Sequence, residues 1–310
     1  MENSVLLTGA TGFIGGRLVR ALAAQDAAAV HCLVRRPEAA GDLQALGVTL
    51  HRGDVLDPQS LALLPRCARI VHCAAQVRGP AGEMLAHNRD GAANICRLAQ
   101  SWQVERLVYL STVSVISAQP APVLTADLPY AAAGAYAQSK LAAEQVVLAA
   151  RAQGLPCAVL RPTMVYGEND PHLFARIIGL VARRLFPLFD SGRHRLHLAY
   201  VDNVVAALLL ALQSPALLQG TWLVADNEAL TAAELFDTLA TAVGARPPLR
   251  IPDGLSALLA AVPLAGGAVA RFRRDQQLDL TPIRAAGYCD AVPVREALRR
   301  TGAWWRASRR

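Results

Sequence analysis

Residues 5–15 read Val5-Leu6-Leu7-Thr8-Gly9-Ala10-Thr11-Gly12-Phe13-Ile14-Gly15. A short run that is apolar on both faces stops at Thr8. Glycines then recur at three-residue spacing, as Gly9-x-x-Gly12-x-x-Gly15, and the apolar period becomes that of a helix over residues 13–24. Strand, glycine turn and helix in this order open a βαβ unit. Gly9 permits the tight turn, Gly12 lets backbone approach a pyrophosphate, and Gly15 lets the helix pack close to the strand. Exposed N–H groups and the helix dipole then hold the anion. Gly9, Thr11, Gly12, Phe13, Ile14 and Gly15 are therefore candidate dinucleotide-binding residues. A glycine triad alone is weak evidence, and its place at the first strand–helix junction strengthens it.

Outward from this loop, short apolar runs alternate with amphipathic stretches. Strands are expected over residues 4–8, 30–34, 48–51, 70–73, 107–110 and 157–160, and helices over 13–24, 83–102 and 136–152. Strands apolar on both faces, alternating with helices, predict an α/β fold with a doubly wound parallel sheet. The pattern loosens beyond Pro162, where a smaller substrate-binding region is expected. We divide the chain into residues 1–165, binding the dinucleotide, and 166–310, mainly binding substrate. Residues 201–212 (helix) and 221–224 (strand) are candidates to pack back on the sheet. Residues 168–191 read as loop, helix and turn. Thr231 and Glu234 have the spacing of a capping box.

The chain has 310 residues, of which 53% are hydrophobic and 18% charged, a balance that excludes disorder and a coiled coil. A net charge of +7 and a pI near 9.4 raise the question of nucleic acid. The basic residues are scattered, without aromatic interleaving or a nucleic-acid motif, so no nucleic-acid partner is expected. The opening residues lack a basic stretch before an apolar one, so no signal peptide is expected. The nearly apolar run 255–270 is too short to span a bilayer and contains Pro263, Gly266 and Gly267. It reads as core or substrate roof, with peripheral membrane contact as the alternative. The six cysteines form no C-x-x-C pair and read as buried small hydrophobes of a reducing, cytoplasmic compartment. The seven histidines lack ligand spacing, so no metal is expected.

Tyr136-Ala-Gln-Ser-Lys140 places a phenol and an ammonium on one helical face. A neighbouring ammonium favours phenolate, which makes the tyrosine a usable general acid or base. Of the 31 basic residues, only Lys140 is a lysine. Arginine cannot replace a compact point charge that also holds ribose hydroxyls. Hydroxyls at Ser111, Thr112 and Ser114 follow the fifth strand, where side chains face the cofactor crevice. One of them can orient a substrate carbonyl, or all of them can cap backbone.

The second strand is followed by Arg35 and Arg36 rather than by an acid. Two guanidinium groups suit a ribose 2′-phosphate, which favours NADP(H) and keeps NAD(H) as the alternative; a solvated basic turn would read the same way. Asp54, next to Val55, can accept from an adenine amino group or serve as a helix N-terminal acid. Ala74 and Ala75 let backbone lie against a cofactor, and simple close packing would ask for the same composition.

Taken together, TGATGFIG (8–15), GDVLD (53–57), HCAA (72–75), YLSTVSV (109–115), YAQSK (136–140), RPTMVYG (161–167) and YVDNV (200–204) resemble the extended short-chain dehydrogenase/reductases of the NAD-dependent epimerase/dehydratase superfamily. The 3β-hydroxysteroid dehydrogenase and dihydroflavonol reductase branch is the nearest. The resemblance implies a Rossmann fold and an oxidoreductase that interconverts a ketone and a secondary alcohol on an apolar substrate. It places the catalytic hydroxyl on Thr112 and sets Ser111 beside the nicotinamide ribose. Tyr136 becomes the proton donor/acceptor, with Lys140 as its partner. Pro162, Thr163 and Val165 lie along the nicotinamide, and Asn88 is structural. A homodimer through the helices at 83–102 and 136–152 follows from the same likeness. The competing readings are a nucleotide-sugar epimerase and a non-catalytic NADP(H) sensor.

Overall fold

The computed structural model describes residues 4–171, 173–260 and 275–309. Seven strands form the central sheet: β1 (Val5–Thr8), β2 (Val30–Val34), β3 (Thr49–Arg52), β4 (Arg69–His72), β5 (Arg106–Leu110), β6 (Cys157–Pro162) and β7 (Thr221–Val224). Their order is β7-β6-β5-β4-β1-β2-β3, and every pairing is parallel. Such a sheet needs apolar residues on both faces. The residues of β1, β5 and β6 are accordingly all buried, whereas the edge strand β3 is the most polar and exposed of the seven.

The two faces carry separate cores. Val5, Leu7, Val71 and Val108 pack under α1 (Phe13–Asp26), together with Val204, Leu208 and Leu212 of a later helix. On the other face, Leu6, Ile70, Leu107 and Val159 meet α2 (Gly91–Trp102) and α3 (Ala135–Ala152). The helix expected over 83–102 is present in three parts: Ala81–Leu85, a π-helical turn at Ala86–Asp90, and α2. The wide turn presents Asn88 to its neighbours. Its Oδ1 accepts from the Gln76 amide (2.7 Å), while Nδ2 donates to the Gln76 carbonyl (3.0 Å) and the Ser139 hydroxyl (2.8 Å). Asn88 thus ties the chain after β4 to α3.

The C-terminal residues build a third core from α4 (Leu173–Ala182), α6 (Ala232–Val243) and α8 (Val294–Ala307), with Tyr166 and Tyr200 between them. Between α4 and α6, helix α5 (Val201–Gln213) packs on α1 and on β5. The Thr231–Glu234 capping box is formed in full at the start of α6. Of the run 255–270, residues up to 260 belong to α7 (Asp253–Ala260), and 261–270 lie outside the described residues. Among the described residues, no helix is long and apolar enough to cross a membrane. The cysteines are mostly buried, as expected, with two corrections: Cys289 is exposed on a C-terminal loop, and Cys73 is half-buried.

Candidate active site

β1, β4, β5 and β6 end side by side, and the residues that follow them line one cleft of about 810 Å³. This is where a doubly wound sheet places ligands, because the strand order reverses there. The glycine loop forms one end. Gly9 has φ +75°, and a Cβ on it would lie 2.6 Å from the Ala74 amide nitrogen. A Cβ on Gly15 would fall on the Gly9 carbonyl oxygen. The turn closes through Gly12 N–H donating to Gly9 O at 3.0 Å, and α1 begins immediately afterwards. A cradle that side chains would fill, at the N-terminus of a 14-residue helix, fits the pyrophosphate of a dinucleotide.

Gly9, Thr11, Gly12, Phe13, Ile14, Gly15, Ala75, Ser111, Thr112, Tyr136, Lys140, Pro162, Thr163 and Val165 all line this cleft. Five candidates do not. Arg35 and Arg36 are exposed just beyond β2. Asp54 accepts from the Leu56 amide (2.9 Å), as a turn-forming carboxylate does. Val55 is buried in the core against Gly91 of α2. The Ala74 amide is taken by the Thr8 hydroxyl (3.3 Å), so this residue backs the loop rather than faces the cleft.

Around the catalytic candidates the chemistry differs from the sequence expectation in one respect. The spacing predicts an ammonium that lowers the Tyr136 phenol. Instead, burial pushes that phenol up to about 12, and the group drawing it down is the Thr112 hydroxyl. Lys140 is engaged elsewhere: Nζ donates to Tyr109 Oη (2.7 Å) and to the Leu110 carbonyl (2.8 Å). Burial draws the Lys140 ammonium down to about 8, against the opposing pull of the Glu144 carboxylate.

Several residues of this site went unread in the sequence. Glu144 lies four residues beyond Lys140 on α3 and is fully buried. It accepts from Ser111 Oγ (2.5 Å), Tyr130 Oη (2.9 Å) and the Arg161 guanidinium (2.5 Å to Nη2). A carboxylate only accepts, so the Ser111 proton is committed to Glu144 and the serine meets the cleft with lone pairs. Its i, i+4 spacing from Lys140 is the signal by which Glu144 could have been found on the Tyr136–Lys140 face, but nothing local names Arg161 as its partner. His72 and Tyr109, side by side on β4 and β5, stack at 5.7 Å, and His72 Nδ1 shares a hydrogen bond with Thr8 Oγ1 (2.7 Å). Val77, Pro171 and Gln276 reach the cleft from distant loops, with no local signal.

The model of the NAD dependent epimerase/dehydratase family matches residues 5–225. The chain is 30% identical over 277 residues to a 2-alkyl-3-oxoalkanoate reductase of Shewanella oneidensis, covering 83% of this chain and 70% of that protein. It is 31% identical over 261 residues to a putative dihydroflavonol 4-reductase of Synechocystis, covering 80% and 75%. Its fold superposes on the UDP-glucose 4-epimerase of Thermotoga maritima with a TM-score of 0.80 at 21% identity, covering 99% of this chain and 100% of that one. The chain therefore belongs to the NAD dependent epimerase/dehydratase family and is an NAD(P)-dependent oxidoreductase of the extended short-chain dehydrogenase/reductase type.

Proposed function

We propose that the protein interconverts a ketone and a secondary alcohol on an apolar substrate, with NADP(H) as the cofactor. The observation that carries this reading is the lining of the cleft. Among its described residues the only charged side chain is Lys140, and Val77, Val113, Met164, Val165 and Pro171 give the cleft an apolar wall. These side chains suit a hydrocarbon-bearing ketone, in keeping with the likeness to the Shewanella 2-alkyl-3-oxoalkanoate reductase.

In this reading the glycine loop holds the pyrophosphate, and Ser111, Pro162, Thr163 and Val165 border the nicotinamide end. Arg35 and Arg36 take the 2′-phosphate; among the described residues neither guanidinium has an ion pair. A reduced nicotinamide held there would supply the hydride that the carbonyl carbon takes up. Thr112 orients the carbonyl oxygen, and Tyr136 gives it a proton. A phenol held near 12 is protonated at neutral pH, the form that reduction requires. Lys140 holds ribose hydroxyls and keeps positive charge beside the developing phenolate. A cytoplasmic homodimer paired through α2 and α3 belongs to the same reading.

The test is loss of reduced-nicotinamide absorbance with steroidal, flavonoid and long-chain β-keto substrates, with NADPH and NADH in parallel. Turnover with NADPH is expected, and replacing Tyr136 by Phe should cut it about 10²–10⁴-fold without moving the melting temperature. Full activity in Tyr136→Phe would overturn the mechanism. Turnover with NADH alone would overturn the cofactor assignment. Interconversion of nucleotide sugars without net cofactor turnover would replace the reaction by epimerisation.

A further inference from the structure

Behind the cleft lining runs a buried row of which the proposed reaction uses only Lys140. Thr8, His72 and Tyr109 are register partners across β1, β4 and β5. Thr8 shares its hydroxyl with His72, His72 stacks on Tyr109, and the Tyr109 phenol receives Lys140. All four are nearly inaccessible; Tyr109 is 1% and Lys140 2% exposed. The Lys140 nitrogen also stands 4.3 Å from the centre of the Tyr109 ring. Burial keeps His72 neutral, down at about 3, and pushes Tyr109 well above its ordinary value, so neither places a competing charge beside the ammonium.

An ammonium has three donors. We propose that Tyr109 is a positioning residue for Lys140: its phenol oxygen and the Leu110 carbonyl hold two ammonium hydrogens and leave the third for the cleft. Both acceptors are anchored. The Leu110 carbonyl belongs to the central strand β5. The Tyr109 ring stacks on His72, and His72 is tied to the residue that opens the glycine loop. The Lys140 nitrogen is thereby fixed relative to the strand that leads into Ser111 and Thr112 and to the glycine loop proposed to cradle the pyrophosphate. The alternative, in which Tyr136 holds the ammonium, has no contact to support it in this structure. This inference deepens the proposed reaction by saying what places its only lysine.

The chain contains a single lysine, so lysine enriched with ¹³C at the ε-carbon gives one side-chain signal. Its titration reads the protonation of Lys140 without any substrate. In Tyr109→Phe the ring stack persists but one acceptor of a buried ammonium is lost. The midpoint is expected to fall by about one to two pH units relative to wild type. In Tyr136→Phe it should stay within a few tenths of a unit of wild type, on the order of experimental scatter. An unchanged midpoint in Tyr109→Phe, or an equal fall in Tyr136→Phe, would overturn the proposal. Near-UV circular dichroism establishes whether Tyr109→Phe keeps its packing. If it does not, the wild-type protein decides. Its lysine Hε protons should show a cross-peak to a tyrosine ring, and that cross-peak should survive in Tyr136→Phe; its absence counts against the assignment. The fate of the reaction is separable. A shifted midpoint with no ketone reduced leaves the positioning role standing and removes the proposed reaction; turnover with an unshifted midpoint does the reverse.

Discussion

Glu144, beneath the floor of the cleft, faces a guanidinium; Asp226, beneath the C-terminal region, is met by neutral donors and by the Asp290 carboxyl, with no cation among the described residues. Both are fully buried, at 0% exposure. Glu144 joins α3 to β6 through Arg161 and to β5 through Ser111. Asp226 accepts from the Tyr200 amide (2.7 Å), Asn203 Nδ2 (2.8 Å) and Tyr166 Oη (2.9 Å), and Asn203 continues to the backbone of Val292. Burial, helped by the neighbouring Asp290 carboxyl, pushes Asp226 up to about 7, and three hydrogen bonds only partly oppose it. The cleft floor is thus assembled around a charge pair, and the C-terminal region around a carboxyl group close to its own neutralisation. An ion pair answers to deletion of a partner, whereas a buried carboxyl without a cation answers to pH.

The largest expected effect tests the first half of that contrast. Replacing Arg161 by Met leaves Glu144 buried without its cation and should cost about 3–5 kcal/mol in chemical denaturation. A loss under about 1 kcal/mol, the scale of an exposed pair, would mean that the pair is not what assembles the floor.

A smaller effect tests the second half. The folded-state value of Asp226 is raised above the unfolded value of about 3.9. Its contribution to stability is therefore complete below about pH 4 and is lost as pH rises through about 7. Asp226→Asn stays neutral throughout. Measured against it, the wild type should lose stability over that window with a slope of at most about 1.4 kcal/mol per pH unit. Parallel pH profiles for the two proteins would refute this. His72 and His197, held down at about 3 and about 4 by burial, act in the opposite sense, destabilising both proteins alike as pH falls below about 6.5.

The smallest effect belongs to neither region. Leu63 is 86% exposed, and Leu63→Ser should change stability by less than about 0.5 kcal/mol in thermal melts. A larger change would show that an exposed apolar residue matters as much as a buried polar joint, and the contrast would lose its meaning.

Much of this was legible in the chain because the signals are local. The strand–glycine–helix junction at 5–15, the apolar strand runs and the Thr231–Glu234 box each depend on neighbours within a turn or two. Tyr136 and Lys140 reach the same cleft because i, i+4 is a property of the helix itself. The π-helical turn at Ala86–Asp90 was not legible, nor was the partner of Lys140. The phenol that receives its ammonium sits 31 residues upstream, on a strand brought beneath α3 by crossover. Arg35, Arg36 and Asp54 show the reverse. Their sequence positions are apt for an adenosine end, but the cleft that gathers the catalytic candidates does not include them.

By itself the sequence determined the doubly wound sheet, the glycine turn after β1 and the identity of the residues that meet at the strand ends, since periodicity, glycine sterics and helical spacing act over a few residues. Only the tertiary structure decided which group each buried polar atom faces. That is why Lys140 is held by Tyr109 rather than Tyr136, why Ser111 presents lone pairs to the cleft, and why Glu144 has a cation and Asp226 does not. Contacts of this kind join residues tens of positions apart, and in a low-dielectric interior it is the partner across the fold that sets the charge and direction of a group.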